Sequence, residues 1–98
     1  MIHHVVLFTW REPLPEGYLA TIADALDDMR STMPYIVEYR YGPDCGLHES
    51  GNADFGIVAT FANVEDWRRY DTDALHNTIR SEVFKPVVGT RTVIQFES

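Results

Sequence analysis

Cysteine is almost missing from this 98-residue chain: Cys45 stands alone, so neither an intrachain disulfide nor a thiolate zinc cluster can form. A cytoplasmic setting is the default expectation for such a chain. Positive charge is scarce too, with 8 Lys and Arg against 15 Asp and Glu, a net charge of −7, and no basic stripe interleaved with aromatics. That balance repels phosphate backbones and argues against nucleic acid as a partner. No apolar run approaches membrane-spanning length. The opening Met1-Ile2-His3-His4-Val5-Val6-Leu7-Phe8 has no basic region and no small-residue cleavage site, so neither membrane insertion nor a secretory signal is expected. A phosphate-cradling glycine loop, a Gly-x-Ser-x-Gly elbow and a dinucleotide fingerprint are all absent, which leaves nucleotide chemistry and serine hydrolysis without support.

What is present is a globular composition, 45% hydrophobic and 12% aromatic. The length predicts one domain over residues 1–98, and a chain this short buries only about 60–70% of its unfolded surface. A second subunit would add to its stability. The acid excess lies in the first half, where Asp24, Asp27 and Asp28 read as a solvated helix face.

Residues 3–10 are β-branched and aromatic with no polar side, which predicts a strand covered on both faces. His4, Val6, Phe8 and Trp10 share one face; His3, Val5, Leu7 and Thr9 share the other. From Glu16 to Ser31, Leu19, Ile22, Ala23, Leu26 and Met29 recur at helical spacing, and Pro34 follows the end of that helix. Tyr35 to Tyr41 predicts a second strand, Gly42 to Asn52 a loop, and Phe55 to Phe61 a third strand. Asn63 caps a helix carrying Val64, Trp67 and Tyr70. A second helical piece runs from Ala74 to Phe84 before Pro86 and Gly89, and Thr90 to Phe96 is the last strand, with Thr92, Ile94 and Phe96 opposite Arg91, Val93 and Gln95.

The order β-α-β-β-α-β is the ferredoxin-like split arrangement, an α+β fold. Right-handed crossovers place both helices on one face of a four-stranded antiparallel sheet. The other face is apolar and uncovered, so the chain is expected to pair with itself, sheet against sheet, as a dimeric α/β barrel. The face carrying His4 and Trp10 is expected to meet the partner and enclose a pocket for a hydrophobic small-molecule ligand.

The opening Met-Ile-His-His-Val-Val-Leu-Phe, the run from Gly51 to Phe61, Trp67-Arg-Arg-Tyr70 with His76 six residues on, and the stretch from Phe84-Lys-Pro86 to Arg91-Thr-Val-Ile-Gln-Phe96-Glu resemble the stress-responsive dimeric A/B barrel (Dabb) family. The resemblance implies a homodimer. By similarity to the family's plant polyketide cyclase that forms olivetolic acid, it also implies that His76 and Tyr70 are catalytic and that His4 lies in the cleft. Asp73-Ala74-Leu75-His76 departs from the family's His-Pro-Ala-His run. Gly56 stands where the cyclase has a further cleft histidine.

Read as chemistry, a His76 on the Ile79 and Val83 stripe faces apolar surroundings and suits a general base; otherwise it is a satisfied interior histidine. Tyr70 is either a proton donor to a developing enolate oxygen or a core tyrosine. His4, Val6, Phe8, Trp10, Val58 and Ile79, with Val93, are the expected substrate-binding surface. His3 and His4 point to opposite faces and cannot share a metal, and Asp44, Cys45, His48 and Glu49 read as solvated loop residues. No metal and no cofactor is expected. Three functions follow: His/Tyr acid–base catalysis of cyclase, isomerase or lyase type on a hydrophobic carbonyl or phenolic compound, a non-catalytic ligand-binding homodimer of stress protection, or cofactor-free oxygenation of an aromatic.

Overall fold

A computed structural model of the chain describes residues 1–98. The β-branched opening forms strand β1 (Ile2–Trp10). Gly17, in the left-handed region at φ 81°, turns the chain into helix α1 (Tyr18–Ser31), which buries Ile22, Leu26 and Met29 and leaves Asp24, Asp27 and Asp28 in solvent. Strands β2 (Ile36–Pro43) and β3 (Phe55–Phe61) follow. Helix α2 (Val64–Asp71) starts at Asn63, whose side chain accepts from the Asp66 backbone N–H at 2.8 Å. Helix α3 (Ala74–Ile79) runs straight into a π-helical turn (Arg80–Phe84), and strand β4 (Val88–Glu97) closes the order. The single helical piece expected from Ala74 to Phe84 is thus two, because the Lys85 N–H reaches back five residues to the Arg80 carbonyl at 2.9 Å. No helix is long and apolar enough to cross a membrane.

The four strands lie in the order β2-β3-β1-β4, every neighbouring pair antiparallel, which is the ferredoxin-like topology. The helices cover one face only. Ile22, Leu26, Met29, Tyr70, Ile79 and Phe84 from the helical layer join Ile2, Val6, Phe8, Phe55, Ile57, Ala59 and Phe61 from the sheet in one core.

This corrects one expectation. The residues of β1 that share a face are as the alternation predicts, but His4, Val6, Phe8 and Trp10 turn toward the helices. The uncovered face carries Leu7, Val58, Ile94 and Phe96, all exposed, together with half-buried Val5. Pairing explains the grouping: Val5 stands opposite both Val58 and Ile94, and residues directly opposite across a ladder project to the same side. The pocket is therefore enclosed within one protomer, between sheet and helices.

At the far end of β1 the register shifts between Thr9 and Trp10. Gly89 sits against this irregularity, where a Cβ would come within 3.1 Å of the Arg11 Cα and N. Glycine lets β4 approach this closely without the Arg11 backbone giving way, and the Arg11 N–H donates to the Val87 carbonyl at 2.8 Å.

Candidate functional site

Between the sheet and the helical layer lies a partly open cavity of about 620 Å³. His4, Val6 and Phe8 from β1 form one wall, with Ile57 from β3 and Tyr39 from β2 beside them; Leu26 of α1, Tyr70 and Asp71 of α2, His76 and Ile79 of α3, and Arg80 and Phe84 of the π-turn close over it. Its size suits a drug-sized organic molecule.

His76 is held from two directions. The Asp73 side chain accepts from the backbone N–H groups of Leu75 at 2.8 Å and His76 at 3.2 Å, fixing the first turn of α3. The ring Nδ1 lies 2.9 Å from the carbonyl oxygen of Tyr70, an acceptor only, so Nδ1 carries the proton and Nε2 keeps its lone pair. The imidazole stacks on the Tyr70 ring with centroids 3.9 Å apart. Only 7% of the residue is exposed. Burial, reinforced by the Arg80 guanidinium, lowers its pKa to about 4, so the ring is neutral at pH 7.

His4 shows the opposite tautomer. The Trp67 indole N–H donates to its Nδ1 at 3.3 Å, and the Gln95 amide nitrogen stands 2.8 Å from the same atom. Since the indole can only donate, Nδ1 accepts and the proton sits on Nε2. Burial first, then the charges of Arg91 and Arg80, lowers the His4 pKa to about 4. The cavity therefore presents a neutral imidazole that can accept a proton and another that can donate a hydrogen bond.

The Tyr70 ring packs edge-on to His4 at 5.8 Å between centroids. Burial raises its pKa, so the phenol stays protonated and able to donate. Tyr39 lies 6.5 Å from it, ring centroid to ring centroid. The Tyr39 hydroxyl is buried without a hydrogen-bond partner, and burial together with the adjacent Tyr70 phenol raises its pKa. Arg80 is fixed by Asp71, Nη2 to Oδ1 at 2.6 Å, and by the Asn77 side chain at 3.0 Å.

The structure thus brings together His76, Tyr70, His4, Val6, Phe8 and Ile79 at one cavity. Three residues of the expected lining fall elsewhere, Val93 among them: it stands opposite Val6 on β4 but does not line the cavity. Trp10 packs beside the cavity on Phe8 and Phe55, ring centroids 6.1 and 5.7 Å away, and Val58, 42% exposed, is on the opposite face of the sheet. The alternation within β3 does separate Val58 from Phe55, Ile57 and Ala59, but the register that pairs it with Val5 is a long-range fact. Sequence reasoning missed Tyr39, Arg80 and the two donors to His4. Tyr39 had a signal, since it alternates with Tyr41 along β2; Gln95 and Trp67 had none, because their meeting at His4 joins residues 91 and 63 positions away. No three His, Cys, Asp or Glu side chains converge as a metal site would require.

Comparison with known proteins adds to this geometry. Residues 2–98 match the family model described as the Stress responsive A/B Barrel Domain. A dimeric ferredoxin-like protein of unknown function from Thermobifida fusca superposes with a TM-score of 0.89 at 27% identity, over 99% of this chain and 90% of that one. The hydroxynitrile lyase of Passiflora edulis superposes with a TM-score of 0.81 at 17% identity, over 97% and 90%. A Dabb family protein from Mesorhizobium loti gives 0.82 at 16%, over 99% and 95%. No curated protein shows detectable similarity to the sequence.

Proposed function

The chain belongs to the stress responsive A/B barrel family, and from that premise we propose that it is a small-molecule enzyme using His76 and Tyr70 as an acid–base pair on a hydrophobic carbonyl or phenolic compound. The observation that carries the reading is the tautomer of His76: Nδ1 is tied to the Tyr70 carbonyl, which leaves the Nε2 lone pair for a cavity whose lining mixes apolar and charged side chains. A neutral, oriented imidazole of this kind is equipped to take a proton. In a cyclase or isomerase step His76 Nε2 removes a proton from the carbon beside a carbonyl, while the Tyr70 hydroxyl and the His4 Nε2–H donate to the oxygen as it gains charge. In a lyase step the same base takes the hydroxyl proton of a hydroxynitrile, the bond to the nitrile carbon breaks, and cyanide leaves as hydrogen cyanide once it gains a proton. The hydroxynitrile lyase among the structural relatives supports this second form. A polyketide cyclisation would use the same pair; Gly56, expected at a cleft position, instead stands opposite Leu7 on the uncovered side of the sheet, where a Cβ would meet the Leu7 side chain at 3.6 Å.

The protein acts, in this reading, as a homodimer joined through the uncovered sheet face, as the dimeric relatives support. Each protomer would hold its own cavity. Two assays test the chemistry: cleavage of mandelonitrile to benzaldehyde and hydrogen cyanide, and exchange of the protons beside the carbonyl of phenylbutanone into deuterium oxide. The wild type should accelerate at least one of them and His76→Asn neither. Equal rates for the two proteins in both assays would reject catalysis and leave a ligand-binding dimer.

A further inference from the structure

The cavity is charged against the sign of the molecule. Of the 8 Lys and Arg in a chain with 15 acids, four line it: Arg11, Arg80, Lys85 and Arg91, against the single acid Asp71. Arg80 is spent on Asp71, but Arg11, Lys85 and Arg91 make no ion pair. All three are exposed, whereas His4, Tyr70 and His76 are buried.

Their positions give the cavity two ends. Arg91 stands opposite Phe8 in the β1–β4 ladder, while Gln95 stands opposite His4. Four residues of strand separate the two pairs, about 13 Å of backbone at the usual rise, a span the Arg91 side chain shortens, since its charge is the leading one on His4. Arg11 is drawn to the Arg91 end by the close approach of Gly89, and its Nη2 hydrogen-bonds the carbonyls of Lys85 and Val88, both at 3.4 Å. These contacts are to neutral acceptors, so no ion pair offsets the positive charge there.

We infer that this cationic end binds an anionic oxygen group of the ligand, a carboxylate or phosphate, whose apolar body runs inward to the histidine end, with Arg91 as the principal contact. The inference rests on the proposed small-molecule cavity and adds to it the charge of the ligand. Arginine suits the task because its fork meets two oxygens at once.

Binding of two matched fluorescent probes tests this without turnover: anilinonaphthalene sulfonate and its uncharged analogue phenylnaphthylamine. The wild type should bind the anionic probe at least about 10-fold more tightly at low salt, the difference expected of one charge-assisted contact. Arg91→Met should abolish that preference and leave the uncharged probe unaffected. Arg40→Met, on the uncovered sheet face beside Glu38, should change neither. Displacement of the anionic probe by decanoate or by decyl phosphate, whichever is stronger, identifies the oxyanion class, and decanol should displace it poorly. Equal binding of the two probes, equal displacement by decanol, or loss of preference in Arg40→Met instead overturns the inference while leaving the cavity intact. Failure of both probes to bind the wild type overturns the cavity reading and the inference together.

Discussion

His76 and Tyr70 are joined twice over: the imidazole Nδ1 sits 2.9 Å from the Tyr70 carbonyl oxygen, and its ring lies 3.9 Å from the same residue's ring. One residue thus sets both the tautomer and the attitude of its partner. The spacing of six along the chain is what permits it, because α2 ends at Asp71 and α3 begins at Ala74, folding the second helix back over the end of the first.

Substitution at this pair should separate chemistry from folding. His76→Asn keeps a donor for the Tyr70 carbonyl and removes the base, so turnover should fall about 100- to 10,000-fold. Tyr70→Phe should lower kcat about 100-fold or more through loss of the donor to the oxygen. Circular dichroism and thermal melts of both variants should stay close to wild type. Steady-state kinetics on whichever probe substrate the wild type converts is the deciding measurement, and wild-type kcat in either variant would refute that residue's role.

Acid should weaken the fold in a definite window. His4 and His76 titrate near pH 4 when folded and near 6.5 when unfolded. Between those values the unfolded chain holds more protons, so stability is full above pH 6.5 and falls as the pH drops toward 4. At pH 5 the loss should be about 1–2 kcal/mol for each histidine. Urea unfolding of the wild type and of His4→Gln/His76→Gln should therefore differ by a constant margin above pH 6.5, and the wild type should lose stability relative to the variant as the pH falls from 6.5 toward 4. Activity should retain its base through pH 5, with the acid limb of the rate profile near pH 4; a limb at 6.5 would show that burial does not hold His76 neutral.

In the proposed reaction Asp73 would serve as a positioning residue. It touches no part of the cavity but accepts the two backbone N–H groups that begin the helix of His76. Asp73→Ala should cost about 1 kcal/mol of stability and also lower kcat well below the melting temperature, with Asp73→Asn restoring most of both. A variant that melts earlier yet turns over normally would reduce Asp73 to a cap.

The uncovered face should answer to charge. Val58→Asp places a carboxylate among Val5, Leu7 and Ile94 without touching the core, so the protomer should fold as before. In a twofold dimer it does so twice, and dissociation should strengthen by more than about 100-fold. Light scattering across a concentration series would read this directly; a wild-type monomer at micromolar concentration would end the dimer proposal.

The sequence made the local elements legible where a period could be counted. Ile22, Leu26 and Met29 announced α1, and the run from Phe55 to Phe61 marked β3 to the residue. Alternation also grouped His4 with Val6 and Phe8 correctly, yet it could not say which side the helices take, because a strand apolar on both faces gives no preference. That is why the dimer face and the cavity face were exchanged. The charged end of the cavity was illegible for another reason: Arg11 lies 74 residues before Lys85 and meets it and Arg91 only through the β1–β4 ladder and the close approach at Gly89.

The π-turn from Arg80 to Phe84 stores one residue more than an α-helix of the same rise would hold. Deleting a single residue there would return the segment to an α-helix and swing everything beyond it by about 100°. The wall that Arg80 and Phe84 give the cavity is therefore written in chain length as well as in side chains. Libraries that vary length at this turn can reach pocket shapes that substitutions alone cannot.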